Sequence, residues 1–191
     1  LQAGIDSLFF SMDSLHKEIY EGIRVGLVFE RVRDNILRFI ELRDQLRPEA
    51  KIVIRMTRQE SNRAEWPVFH AFWRERLQAT DRVYYHDVHD WGGQANKVPL
   101  ITESRPLYMP CVSLWSLCVT FAKGELPMCS VDYNNRFKNG NVMQHSIRDL
   151  WQSAQMAQWR EWHLTGQQSH ISLCRTCTAW DTPSDFTEIP A

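Results

Sequence analysis

Four cysteines constrain this chain more than any other feature of its sequence. Cys111 is followed by twelve residues, then Gly124, then four residues, then Cys129. A long gap leads to Cys174-Arg-Thr-Cys177. A Cys-x-x-Cys turn points two sulfurs into one loop at little cost. Four thiolates suit a [4Fe–4S] cluster; they also suit tetrahedral zinc. Zinc ribbons usually carry two Cys-x-x-Cys knuckles and this chain has one, which tilts the choice toward iron–sulfur and leaves zinc open. Cys111 and Cys129 could also be plain buried hydrophobes. The fifth cysteine, Cys118, lies in the apolar run Leu114–Phe121 and reads as core rather than ligand.

The rest of the composition narrows the setting. The chain has 191 residues, enough for one generous domain or two small ones, with 43% hydrophobic and 24% charged residues. Its net charge of -1 offers no bulk attraction to nucleic acid or to an anionic membrane. No apolar run approaches the roughly 20 residues of a membrane span, and no basic-then-apolar secretion signal opens the chain. An odd cysteine count argues against a disulfide framework. The expected compartment is therefore a reducing cytoplasm, where clustered cysteines bind metal or do redox work. The eight tryptophans read as core and interface rather than as an aromatic binding wall. Leu1 opens the sequence without a methionine, in what reads as a strand, so a fragment of a longer protein is expected.

Residues 4–13 have a strand-like apolar centre. Ser14 could cap a short helix carrying Ile19 and Ile23. A longer helix is predicted from Val28 to Leu46, with Phe29, Val32, Ile36, Phe39 and Ile40 on one stripe and Pro48 beyond its end. Lys51–Arg58 reads as a second strand. A helix over Ala64–Gln78 carries Trp66, Phe69, Trp73 and Leu77 on one face, with Pro67 tolerated in its first turn. Asp81–Asp87 reads as a third strand. This alternation predicts an α/β fold with a parallel sheet and right-handed crossovers. Residues 94–110, with three prolines, read as a linker between a first unit (1–93) and a second (111–180). In the second unit, Leu117–Phe121 and Leu126–Val131 flank Lys123-Gly124. That predicts a β-hairpin with Cys111 and Cys129 at its two ends. Ser146-Ile-Arg-Asp149 fits a capping box before a helix running to about Leu164, stopped at Gly166. Residues 181–191 read as a loose tail.

The cysteine pattern with Gly124, Asp132, Gly140-Asn141-Val142, Ser146-Ile-Arg-Asp-Leu-Trp151 and Cys174-x-x-Cys177 resembles the auxiliary-cluster domain of radical S-adenosylmethionine enzymes. That domain has a long form (SPASM) and a shorter, single-cluster form (twitch). No cysteine follows Cys177, so the chain resembles the shorter form. The resemblance implies Cys111, Cys129, Cys174 and Cys177 as ligands of an auxiliary [4Fe–4S] cluster. Residues 4–14 and 18–24 are similar to the fourth strand and following helix of the family's partial TIM-type barrel. The expected architecture is thus the C-terminal part of a partial (β/α) barrel followed by a small α+β iron–sulfur domain with a β-hairpin and a helix. The family's Cys-x-x-x-Cys-x-x-Cys loop and first three barrel strands are absent from this sequence. The chain as given is expected to be inactive alone.

The resemblance implies that a complete enzyme would bind S-adenosylmethionine and a second [4Fe–4S] cluster. It would draw electrons from a donor such as a flavodoxin or ferredoxin, and act as an oxidoreductase or maturase on a small-molecule or peptide substrate. Neither a nucleic acid nor a membrane partner is expected. Ser11 and Asp13, at the C-terminal end of the first strand, become candidates beside S-adenosylmethionine; either could instead cap the next helix. Arg24 could meet a carboxylate of the nucleoside ligand or simply Glu21. His86, Asp87, His89 and Asp90 end the third strand; a strand sets His86 and Asp87 on opposite faces, and they read as solvated loop first, substrate-facing second and metal last. His163 and His170 read as surface residues rather than a fifth ligand. No catalytic residue can be assigned. The competing reading is a binding module without catalysis, stabilised by zinc on four cysteines.

Overall fold

Apolar side chains at every second position of residues 51–58 set the architecture. The computed structural model describes residues 1–94 and 110–177. Strands β1 (Ser7–Ser11), β2 (Lys51–Arg58) and β3 (Arg82–Asp87) form one sheet in the order β1-β2-β3. Both pairings are parallel, with Phe9 opposite Val53 and Arg55 opposite Tyr84. Ile52, Ile54 and Met56 of the middle strand are fully buried on one face. Helices α1 (Lys17–Ile23), α2 (Phe29–Leu46) and α3 (Trp66–Arg74) supply Tyr20, Phe29, Ile36, Ile40, Phe69 and Trp73 to the same core. The sheet is open, as a partial barrel requires, and β1 has a single neighbour among the described residues.

The alternation that buries Ile52, Ile54 and Met56 turns the odd-numbered residues of β2 to the other face. There the register aligns Ser11, Arg55 and Tyr84 in one row and Thr57 with His86 in the next. The Arg55 guanidinium lies 4.7 Å from the centre of the Phe9 ring, and Phe9 meets Tyr84 edge-on. His86 and Asp87 fall on opposite faces, as their adjacency predicts. Asp87 is buried and paired with Arg58.

Three local expectations need correcting. Ser14 does not cap α1, whose N-cap is His16 without a side-chain bond. Its hydroxyl accepts from the His16 N–H and donates to Glu65, so Ser14 fastens the loop after β1 to a short 3-10 turn at Arg63–Glu65. The helix at Trp66 ends at Arg74 rather than Gln78, because the Gln78 N–H is taken by the Asp81 carboxylate. The third is the hairpin. Strand β4 (Glu125–Pro127) pairs antiparallel with β5 (Lys138–Asn141), not with residues 117–121. Upstream, Ser113–Ser116 forms a helical turn, α4, that buries Leu114.

The described residues fall into two compact units, Leu1–Val88 and a second that begins at His89 and includes the cysteines. In the second, the predicted helix over 146–164 is two helices. Helix α5 (Ile147–Trp151) is capped by Ser146, which accepts from the Asp149 N–H, and α6 (Ala154–Leu164) by Ser153, which accepts from the Met156 N–H. Each serine satisfies an otherwise orphaned helical donor. The expected linker lies outside the described residues over 95–109, as does the tail. No helix among the described residues is long and apolar enough to cross a membrane.

Candidate metal centre

Cys111, Cys129, Cys174 and Cys177 line one cavity. The backbone brings them there by three routes. Cys111 opens the turn into α4, where the Leu114 N–H bonds back to the Cys111 carbonyl at 3.3 Å. Cys129 lies two residues beyond the end of β4, after the buried pair Leu126 and Met128. Cys174 and Cys177 sit in consecutive tight turns, with the Cys174 N–H on the Ile171 carbonyl and the Cys177 N–H on the Cys174 carbonyl. Ile171 and Leu173 anchor that loop in the core. Leu114, Met128, Val131 and Leu173 complete an apolar lining, and the cavity contains about 490 Å³ of space free of protein atoms, part of it open to solvent.

The loop that follows Cys129 is held by Asp132. Its carboxylate is fully buried and accepts from the Arg136 and Phe137 N–H groups at 2.9 and 2.8 Å. Two glycines set the chain path beyond it. Gly124 has φ +83°, and its carbonyl accepts from the Val142 N–H at 2.9 Å. A Cβ there would lie 2.6 Å from Asn141 Oδ1. Gly140 has φ +126°, and a Cβ would lie 2.4 Å from Leu150 Cδ2. Gly124 and Asn141 thus meet where the Gly124 turn packs against β5.

Electrostatics join the four sulfurs. Burial pushes the Cys129 thiol up, and charge on Cys111 and Asp132 adds to the rise against two backbone N–H bonds. Burial also pushes Cys174 up, reinforced by charge on Cys129, Cys177, Cys111 and Asp132. Charge on the neighbouring sulfurs thus opposes ionisation of Cys129 and Cys174 until a cationic guest shares it. Among the described residues no group of three or more His, Cys, Asp or Glu side chains is arranged to grip a metal ion.

Cys118 is exposed, not core, because the chain leaves α4 in an extended conformation at Leu117 and carries residues 117 and 118 outward. His163 corrects a second expectation. It is 5% exposed, lines the cysteine cavity, and its Nδ1 accepts from the Cys111 N–H at 3.2 Å. Sequence reading missed it, although a signal was present. Met156, Trp159 and His163 recur at three- and four-residue spacing, and they are the buried residues of α6. His170 is exposed and packs edge-on to Trp162.

Ser11 and Asp13 lie in the other compact unit. Asp13 is 1% exposed. One carboxylate oxygen accepts from the Thr57 N–H at 2.8 Å and the other from Arg24 Nε at 2.5 Å, while the Asp13 carbonyl accepts from Asn62. Asp13 thus ties the ends of β1, α1 and β2 together, and Arg24 pairs with it rather than with Glu21. Glu21 instead accepts from the Phe29 N–H. Ser11 is half-buried on the opposite sheet face, 3.3 Å from Arg55.

Residues 111–178 match the SPASM family model, an iron–sulfur cluster-binding domain. The chain is also 24% identical over 102 residues to an S-adenosyl-L-methionine-dependent 2-deoxy-scyllo-inosamine dehydrogenase of Niallia circulans, a match that spans 51% of this chain and 40% of that protein. Among solved structures, the crystal structure of BtrN in complex with AdoMet and 2-DOIA is similar at a TM-score of 0.44 and 17% identity, over 75% of this chain and 66% of that one.

Proposed function

We propose that Cys111, Cys129, Cys174 and Cys177 hold an auxiliary [4Fe–4S] cluster, and that the chain contributes this centre to a radical S-adenosylmethionine oxidoreductase or maturase. The observation that carries the reading is the gathering of these four thiols around one apolar cavity inside the segment that matches an iron–sulfur family. The residues present fit such a group. Each iron takes one thiolate, so a cluster asks for sulfurs spread around a cavity. A bound cluster supplies one-electron redox capacity there. The protein's part is to place the sulfurs, through the α4 turn, the end of β4 and the Cys174–Cys177 turns. Leu114, Met128 and Leu173 give them an apolar surround.

The similarity to an S-adenosyl-L-methionine-dependent dehydrogenase supports a redox setting, in which a cluster held by these four cysteines would supply one-electron capacity. In that setting the substrate is a small molecule or a peptide, the electron donor a flavodoxin or ferredoxin, and the compartment the cytoplasm. Ser11 stands on the sheet face away from the helices, the face a barrel turns inward, which supports a place near the S-adenosylmethionine site. Asp13, with both carboxylate oxygens engaged, would act there by fixing the strand end.

The test is the iron, acid-labile sulfide and zinc content of the chain purified without oxygen, beside the double variant Cys174→Ala, Cys177→Ala. About four irons with matching sulfide are expected in the wild type, lost in the variant. One zinc without sulfide would replace this reading with a zinc-bound binding module.

A further inference from the structure

His163 stands at the cysteine cavity with one nitrogen committed and one free. A backbone N–H can only donate, so the bond from the Cys111 N–H at 3.2 Å requires a lone pair on Nδ1. The ring proton then sits on Nε2. Nε2 is buried and has no hydrogen-bond partner among the described residues. Buried donors of this kind are rare in folded proteins and call for an acceptor. The ring lines the same cavity as all four thiols.

We propose that His163 donates an Nε2–H hydrogen bond to a sulfur of the cluster held in this cavity, and that it is thereby a positioning residue that sets the cluster's reduction potential. The inference rests on the cluster reading above. Hydrogen bonds to cluster sulfurs stabilise the added negative charge of the reduced state and raise the potential. Through Nδ1 the same ring fixes the backbone of Cys111, so one side chain holds a ligand in place and touches its guest.

The test compares wild type, His163→Asn and His163→Gln after anaerobic reconstitution, with iron and sulfide measured on each. Asparagine places an acceptor near the position of Nδ1 and can keep the Cys111 bond, but offers nothing at Nε2. Glutamine reaches the Nε2 position with a donor and gives up the Cys111 bond. Full iron and sulfide are expected in all three, with a lower midpoint potential in His163→Asn and recovery toward wild type in His163→Gln. A wild-type potential in His163→Asn would leave the ring only its backbone contact and overturn the proposal. A second measurement does not depend on the variants folding. Pulsed electron paramagnetic resonance of the reduced wild type, grown with ¹⁵N-histidine, should show a histidine nitrogen coupled to the cluster; its absence would also overturn the proposal. A wild type without iron and sulfide would overturn the cluster reading itself, and this proposal with it.

Discussion

Single residues in the second unit hold a backbone conformation and a close contact that a larger residue cannot take without strain. At Gly140, a side chain would face both a φ of +126° and a Cβ placed 2.4 Å from Leu150. Gly140→Ala is expected to destabilise the fold by about 2 kcal/mol or more, read as a lower urea midpoint. The grouping of the four cysteines at one cavity was legible because their spacing is a property of the sequence alone. His163 was not. A histidine between a tryptophan and a leucine, near the end of a polar-looking helix, reads as surface until its neighbours one and two turns back are counted with it. Cys118 was misread for the opposite reason. An apolar run invites a strand with a buried face, but Ser113–Ser116 is helical and buries Leu114 alone of its four residues.

At the scale of elements, the first unit is locked by an ion pair between α2 and the start of β3. Arg43 and Asp81 are buried and bonded through both terminal guanidinium nitrogens, and Asp81 also accepts from the Ile52 and Gln78 N–H groups. Burial alone would raise the Asp81 carboxyl; the Arg43 bonds and charge and the two backbone donors outweigh it and hold it below the usual range. A carboxyl depressed in the folded state stabilises fully above its unfolded value, near 3.9, and loses that contribution as pH falls through the folded one. Asp81→Ala is therefore expected to cost about 3–5 kcal/mol near neutral pH, since it strands a buried guanidinium. Urea midpoints of the two proteins should converge below about pH 4. Ser153→Ala, which removes the cap of α6 and the bond to Asn139, should cost about 1 kcal/mol in the same assay. The parallel strands were readable from sequence because β2 alternates strictly and is long. Strand β4 has three residues, and its partner Lys-Asn-Gly-Asn has no apolar alternation. Contacts at Gly124 and Asn141 fix that pairing, and these are visible only in three dimensions.

For the molecule as a whole, protection should follow ladder position. The middle strand has a neighbour on each side and three fully buried side chains, whereas β1 pairs on one side only among the described residues. Amide exchange is expected to be slower over residues 52–56 than over 7–11, as followed by mass spectrometry. Another contrast is chemical. Four thiols face a shared cavity and Cys118 faces solvent. In metal-loaded protein, iodoacetamide should mark Cys118 first and spare the rest, giving a single added mass before any denaturant is present. When air is admitted, the same exposed sulfur is free to cross-link one molecule to another. A covalent dimer that appears on storage and vanishes in Cys118→Ser would then be a mark of ageing in the sample, to be removed before subunit number is counted.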